Sequence, residues 1–329
     1  MKATAVAHPN IALIKYWGKR DKDLNLPAVG SISLTLDTIE TRSTVVFRED
    51  LPEDRLLLNG ETASPAQTQR VSRFLDLIRS KAKLDLRAEV SSTNNFPTGA
   101  GLASSASAFA SLALAGSKAA GLELPPSRLS ELARRGSGSA ARSIFGGFVE
   151  MKTGELSDGT DAVAMPLDDA KGWDIRLVIA VTSHSEKKIG STEGMEHTAR
   201  TSPFYQHWVY QSQQDISAMR QAIFSRNFQL MGELAEYSAF KMHAVALSAR
   251  PALLYWNSAT VDLIHYIRNL REQGLPAYCT IDAGPQVKIL VREADLQDLL
   301  EQLHHLRAVK EVIVTAPGPG ARLITEEDD

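Results

Sequence analysis

Residues 69–84 read QRVSRFLDLIRSKAKL, and the apolar positions Val71, Phe74, Leu75 and Ile78 recur at the spacing of one helical face. Around that helix the pattern changes to short apolar and β-branched runs. STVVFRE (43–49) and RLLLNGE (55–61) precede it and end on turn residues; LRAEVSSTNNFP (86–97) follows it and closes in a polar, Pro-terminated loop. From Ala103 to Ala120 the chain is mostly Ala, Ser and Leu, the composition of a helix with a small-residue surface. PPSRLSELARR (125–135) predicts another helix, with Ser127 as its N-cap. After the strand-like IRLVIAV (175–181), helices are predicted over 206–224, 227–243 and 257–272, and strands over 287–291 and 311–315 flank a helix over 294–306. Strands and helices mix without strict alternation, which predicts an α+β fold. The domain change is placed near residue 180, giving units 1–180 and 181–329.

One apolar run is interrupted. In NIALIKYWGKR (10–20) a lysine, Lys15, breaks the strand pattern, and Tyr16, Trp17 and Lys19 follow it directly. An isolated lysine at a strand edge ordinarily snorkels to solvent, which does not account for the aromatics and second lysine beside it. Trp17, with one donor and a large apolar body, suits packing.

Composition narrows the choices. With 36 basic and 39 acidic residues and a formal net charge of -3, the chain lacks the basic excess of a general nucleic-acid or membrane surface. A phosphorylated small molecule remains open, since it needs only a few placed cations and backbone amides. No apolar run approaches the roughly 20 residues of a membrane span, and the N-terminal residues lack a secretory apolar segment. The single cysteine, Cys279, excludes an intrachain disulfide and fits a reducing, cytoplasmic setting.

NNFPTGAGLASSASAFA (94–110) carries the densest chemistry. Gly99 and Gly101 let backbone amides approach a ligand, and Ser104 and Ser105 fall in the first turn of the Ala-rich helix, at the positive end of its dipole. A generic Gly turn with a serine cap would explain two glycines; neither a Walker triplet nor a complete GxGxxG is present. Further along, GSGSAAR (136–142) supplies Ser137, Ser139 and Arg142, and TIDAGPQ (280–286) sets Asp282 between a strand and a Gly-Pro turn. An Asp there serves either as a general base held at a strand end or as an Asx-turn former.

The string PTGAGLASSA resembles the phosphate-binding motif of the GHMP kinase superfamily. With NIALIKYWGKRD (10–21), RRGSGSAARSIFGGFVE (134–150), STEGMEHTARTSPFYQHW (191–208) and TIDAGPQVKIL (280–290), the chain is most similar, end to end, to the diphosphomevalonate decarboxylase family. The resemblance implies two α+β domains with the active site in the cleft between them, and a reaction that consumes ATP and mevalonate 5-diphosphate. It implies Mg²⁺ carried on the ATP phosphates, with Ser105 available to it, and a homodimer. It assigns Asp282 to the proton of the tertiary hydroxyl, with Lys15 keeping that carboxylate ionised and Arg142 holding the substrate carboxylate or diphosphate region. Tyr16, Lys19, Ser137, Ser139, Ser191, Thr192, Met195 and Ala283 would contact substrate. Asn94, Pro97, Gly99, Gly101, Leu102, Ala103, Ser104 and Ser105 would contact ATP. Lys187 and Lys188 are left solvated, as are His304 and His305 on the C-terminal helix.

Two positions depart from the family's usual pattern: Val29-Gly30 where a polar pair is common, and Gln286 where Asn is common. A polar group missing at position 29 would alter hydrogen bonds around nucleotide or substrate. The rival activities are a phosphomevalonate decarboxylase, a mevalonate 3-kinase and a non-catalytic nucleotide-binding regulator; retention of Asp282 and Lys15 weighs against a pure kinase.

Overall fold

The protein is described by a computed structural model over residues 1–96, 104–185 and 188–325. Expected ATP contacts Pro97, Gly99, Gly101, Leu102 and Ala103, and Lys187, lie outside the described residues.

Among the described residues, three sheets and a small ribbon organise the fold. The first sheet has six strands and is built around Lys2–Ala7, Thr41–Arg48 and Arg87–Asn94. The helix predicted over 69–84 runs Pro65–Ala82. It starts earlier because Ser64 and Gln67 form a capping box ahead of Pro65, and it stops where Lys83 turns left-handed. Phe74, Leu75, Ile78 and Arg79 are its buried positions, and Val71 is half-buried. RLLLNGE is a hairpin rather than one strand: Arg55–Leu58 and Glu61–Thr62 pair across Asn59-Gly60, both at positive φ, as a tight two-residue turn requires. The helix Ser104–Ala119 packs its small face on this sheet, where hydroxyls join the layers: Thr41 Oγ1 meets Ser107 Oγ at 2.6 Å, and Ser43 Oγ meets Ser111 Oγ at 2.8 Å.

The helix predicted over 125–135 is Pro126–Gly136, with Pro125 at the N-cap and no side-chain cap. Ser127 therefore sits inside the first turn, because the N-cap falls two residues earlier, at Pro125, and proline's fixed φ suits the helix start.

The second sheet is ordered Ala164–Asp168, Phe148–Met151, Ser31–Thr35, Asn10–Ile14, and Asn10–Ile14 is the apolar run that Lys15 interrupts. Its strands Asn10–Ile14 and Ser31–Thr35 are buried at every position, so the alternation that marks a half-exposed strand is absent.

The third sheet is ordered Tyr278–Ile281, Val287–Arg292, Ile175–Val181, Glu311–Thr315. The helices Tyr205–Phe224, Phe228–Leu247, Ser258–Glu272 and Glu293–His304 match expectation within a few residues; Asn227 and Asn257 are side-chain N-caps. One core joins the second and third sheets: Ile11, Leu13, Ile32 and Leu34 pack with Ile175, Leu177, Met219 and Ala235. A division at residue 180 falls inside the strand Ile175–Val181, whose partners both come from the C-terminal half, and the last strand, Arg322–Ile324, returns to pair with Lys2–Ala7. Among the described residues no helix is long and apolar enough to cross a membrane.

Candidate active site

A cavity of about 420 Å³ opens where these sheets meet. Its described wall carries Lys15, Lys19, Arg70 and Arg142 against one carboxylate, Asp282.

Lys15 follows the end of the buried strand Asn10–Ile14, held there by its own N–H donating to Ser238 Oγ at 3.0 Å. The side chain is 1% exposed, and its ammonium donates to Asp282 Oδ1 at 2.6 Å and to the Ala12 carbonyl at 2.8 Å. Burial pulls the Lys15 pKa down from 10.5 to about 8, against the opposing pull of Asp282; Lys288 and Arg142 push the same way as burial. Asp282 stands just past the strand Tyr278–Ile281 and keeps 27% of its side chain exposed. Its second oxygen lies 3.3 Å from Lys288 Nζ. Burial alone would raise its pKa; the two ammoniums overcome that and hold the carboxyl well below the usual range. The carboxylate thus faces the lysines and the cavity rather than capping its own turn.

Arg142 lies in the single turn Ala140–Ser143 and is 2% exposed. Its guanidinium donates to Ser31 Oγ at 2.6 Å, Ser33 Oγ at 2.9 Å and Asn10 Oδ1 at 3.1 Å. Among the described residues no carboxylate forms an ion pair with it, and burial lowers its pKa to about 10, leaving it charged at neutral pH. A buried guanidinium aimed at a cavity on neutral partners is prepared for an anion. The Tyr16 hydroxyl is buried without a hydrogen-bond partner, and burial raises its pKa. A Cβ at Gly138 would come within 2.4 Å of that hydroxyl, so glycine there makes room for it. Lys19 reaches Thr192 Oγ1 at 3.5 Å, and burial lowers its pKa.

A chain of hydroxyls crosses the wall: Ser105 Oγ is 3.3 Å from Ser137 Oγ, which is 3.2 Å from Ser139 Oγ. Ser104 and Ser105 open the helix Ser104–Ala119, and Ser191 and Thr192 open the helix Ser191–Thr201, so two helix N-termini contribute to one wall. Met195 and Ala283 line it from the apolar side.

Thirteen of the expected site residues converge here: Lys15, Tyr16, Lys19, Ser104, Ser105, Ser137, Ser139, Arg142, Ser191, Thr192, Met195, Asp282 and Ala283. Asn94 does not line the cavity; it ends the strand Arg87–Asn94 and its carboxamide oxygen accepts from Thr41 Oγ1 at 2.6 Å. Trp17 is 1% exposed and packs with Met195, Tyr205 and Trp208, its Nε1 donating to Thr198 Oγ1 at 2.9 Å. Val29 is buried in that same apolar cluster and is not among the residues lining the cavity. Gln286 is buried off the wall, accepting from the Thr182 N–H at 2.7 Å and donating to the Ser183 carbonyl at 2.5 Å. Lys188, His304 and His305 are exposed.

Sequence reasoning missed Lys288, Asn10 and Arg70. Lys288 carried the same signal as Lys15, a lone lysine in an apolar strand. Asn10 donates to the Ser139 carbonyl at 3.0 Å and to Ser143 Oγ at 2.8 Å, fixing the turn that presents Arg142. Arg70 sits on the exposed face of its helix, where nothing in the sequence distinguishes it.

A mixed helix–sheet fold presenting an acid and four cations beside two helix N-termini is suited to phosphoryl transfer, the class of chemistry that the sequence resemblance implies. Residues 7–164 match the model of the diphosphomevalonate decarboxylase-like N-terminal domain, and residues 177–323 that of the mevalonate 5-diphosphate decarboxylase C-terminal domain. The Candida albicans diphosphomevalonate decarboxylase is 36% identical, covering 98% of both chains; the human protein of that name is 36% identical over 92% of this chain and 80% of its own. The mevalonate diphosphate decarboxylase of Staphylococcus aureus superposes with a TM-score of 0.94 at 39% identity, covering 98% of each chain. A structure described as MDDEF in complex with MVAPP, AMPPCP and magnesium gives 0.92 at 40% identity, covering 98% of this chain and 99% of that one. This chain belongs to the diphosphomevalonate decarboxylase family.

Proposed function

We propose that the protein catalyses the ATP-dependent decarboxylation of mevalonate 5-diphosphate to isopentenyl diphosphate, carbon dioxide, ADP and phosphate. The observation that carries the reading is Asp282, clamped between two buried lysines at the edge of a cavity whose wall cations outnumber it four to one. Tyr16, Lys19, Ser139, Ser191 and Thr192 take the substrate diphosphate, supported by the unsatisfied Tyr16 hydroxyl and the helix start at Ser191. Arg142 forks onto the substrate carboxylate, the anion its neutral partners leave room for. Ser104 and Ser105 face the ATP phosphates, and Ser137, between Ser105 and Ser139, faces the substrate. Asp282 receives the proton of the tertiary hydroxyl. A carboxylate held this acidic is a weak base, which suits a loose phosphoryl transfer in which the hydroxyl becomes acidic only as its bond to phosphorus forms. Lys15 keeps Asp282 ionised and offsets charge on the group in flight. The phosphorylated oxygen then leaves with its bonding electrons, the carbon–carboxylate bond breaks, and its electrons close the alkene as carbon dioxide departs. For that step the protein supplies alignment, chiefly through Arg142.

Among the described residues no three His, Cys, Asp or Glu side chains cluster as a metal site. The wall fits an ion brought in on phosphate oxygens, with Ser105 Oγ as a side-chain ligand; Mg²⁺ so held neutralises phosphate charge. The family resemblance also supports a homodimer in the cytoplasm. The test is release of carbon dioxide and ADP from mevalonate carrying no phosphate, one phosphate or a diphosphate. Release with the diphosphate alone is expected; turnover of the monophosphate, or ADP without carbon dioxide, replaces the assignment with the corresponding relative.

A further inference from the structure

We infer that Lys288 is a positioning residue that fixes the orientation of the Asp282 carboxylate, an inference that rests on the decarboxylase reading. Lys288 is the second residue of Val287–Arg292, an interior strand paired on one side with Ile179 and on the other with Thr280. It is fully buried, with 0% exposure, and is not among the residues lining the cavity.

Burying an ammonium costs several kcal/mol, and Lys15 alone already neutralises the carboxylate. The three groups therefore carry a surplus positive charge. What Lys288 adds is a hold on the second oxygen: Lys15 takes Oδ1 at 2.6 Å and Lys288 takes Oδ2 from 3.3 Å. Anchored at both oxygens, the carboxylate cannot turn both of them onto Lys15, and its exposed edge is left for the substrate hydroxyl. The other groups whose charge is felt there are Arg142, from the turn Ala140–Ser143, and His243, from the helix Phe228–Leu247. Arg142 stays charged, and burial holds His243 neutral with a pKa near 3, so neither titrates between pH 5 and 9.

Lys288→Met leaves a neutral Lys15–Asp282 pair and so removes a charge without stranding one. We expect kcat to fall roughly tenfold with KM for both substrates within about twofold, and the Lys15 ammonium, which Lys288 pushes toward its neutral form, to titrate at higher pH. That titration is read by ¹⁵N NMR of labelled lysine in nucleotide-free protein, which needs no turnover. Combined with Asp282→Asn, Lys288→Met should cost nothing further. An unmoved Lys15 titration, or the same tenfold loss in the Asp282→Asn background, overturns the inference. Should Lys288→Met not accumulate as folded protein, Lys288→Gln reports the same shift. Failure of the wild type to release carbon dioxide from mevalonate diphosphate would instead count against the reading beneath it.

Discussion

Asp282→Asn preserves the shape of the side chain and removes its charge, and the structure makes two separate consequences of that change. Turnover should fall about a thousandfold or more, as expected when the proton acceptor is lost. Stability should fall as well, because Lys15 and Lys288, both buried, lose the carboxylate lying 2.6 and 3.3 Å from them. Breaking a buried pair from one side costs about 3 kcal/mol, or roughly two orders of magnitude in the folding equilibrium. The deficit has a definite pH dependence. In the wild type burial already brings Lys15 to about 8 while Asp282 pulls the other way; without Asp282 its pKa falls further. A lysine whose folded pKa is lowered is penalised while it is charged, and the penalty lifts as pH rises through that pKa. The variant sheds its penalty at a lower pH than the wild type, so the gap between them is widest below the variant's Lys15 pKa and narrows towards pH 8. Urea unfolding of both proteins at pH 6 and pH 9 measures it, with kcat taken on the same samples. An equal deficit at both pH values, or near-normal turnover in folded variant, would refute the reasoning.

The remaining expectations are smaller in scope. Lys19→Ala removes a contact made alike in ground and transition states and should chiefly raise KM for the diphosphate substrate, whereas Lys15→Ala should chiefly lower kcat; similar KM increases from both would make Lys15 another phosphate anchor. The wild-type kcat/KM profile should lose activity above about pH 8 as Lys15 gives up its proton, and an alkaline limb that stays level to pH 10 would contradict this. Ser105→Ala should lower kcat more than nucleotide affinity, because backbone amides remain to hold the phosphates; a loss of thermal stability with unchanged kinetics would mark the hydroxyl as structural. Gly138→Ala places a methyl group against the Tyr16 hydroxyl and should raise KM for the diphosphate substrate roughly tenfold, with no change if the ring moves aside freely.

Much of the site could be read in advance because its residues break local patterns. Lys15 interrupts an apolar run, Asp282 ends one, and Arg142 closes a string of small residues. Lys288 breaks its run just as plainly, but a single lysine in a short strand also describes a strand edge, and only the sheet order, with partners on both sides, excludes that. Arg70 could not be found at all, since its role is set by which helix face meets the cavity. In the fold, amphipathic helices were legible from their period, while Asn10–Ile14 and Ser31–Thr35 have no exposed face to imprint alternation. Ser127 was misplaced as a cap because Pro125 and Pro126 start the helix without one.

Lys15 and Asp282 are 267 residues apart in the chain. At a synthesis rate of roughly 5–20 residues per second, tens of seconds separate the appearance of the ammonium from that of its counterion. Over the same interval the strand Asn10–Ile14 lacks the helix Phe228–Leu247 that packs on it, and the edge of Lys2–Ala7 awaits Arg322–Ile324. The nascent N-terminal half thus emerges from the ribosome with an apolar face, an unpaired lysine and an open sheet edge together. A released fragment ending near residue 168 should aggregate or engage holdase chaperones, and the enzyme should gain its active centre only after Asp282 has been made.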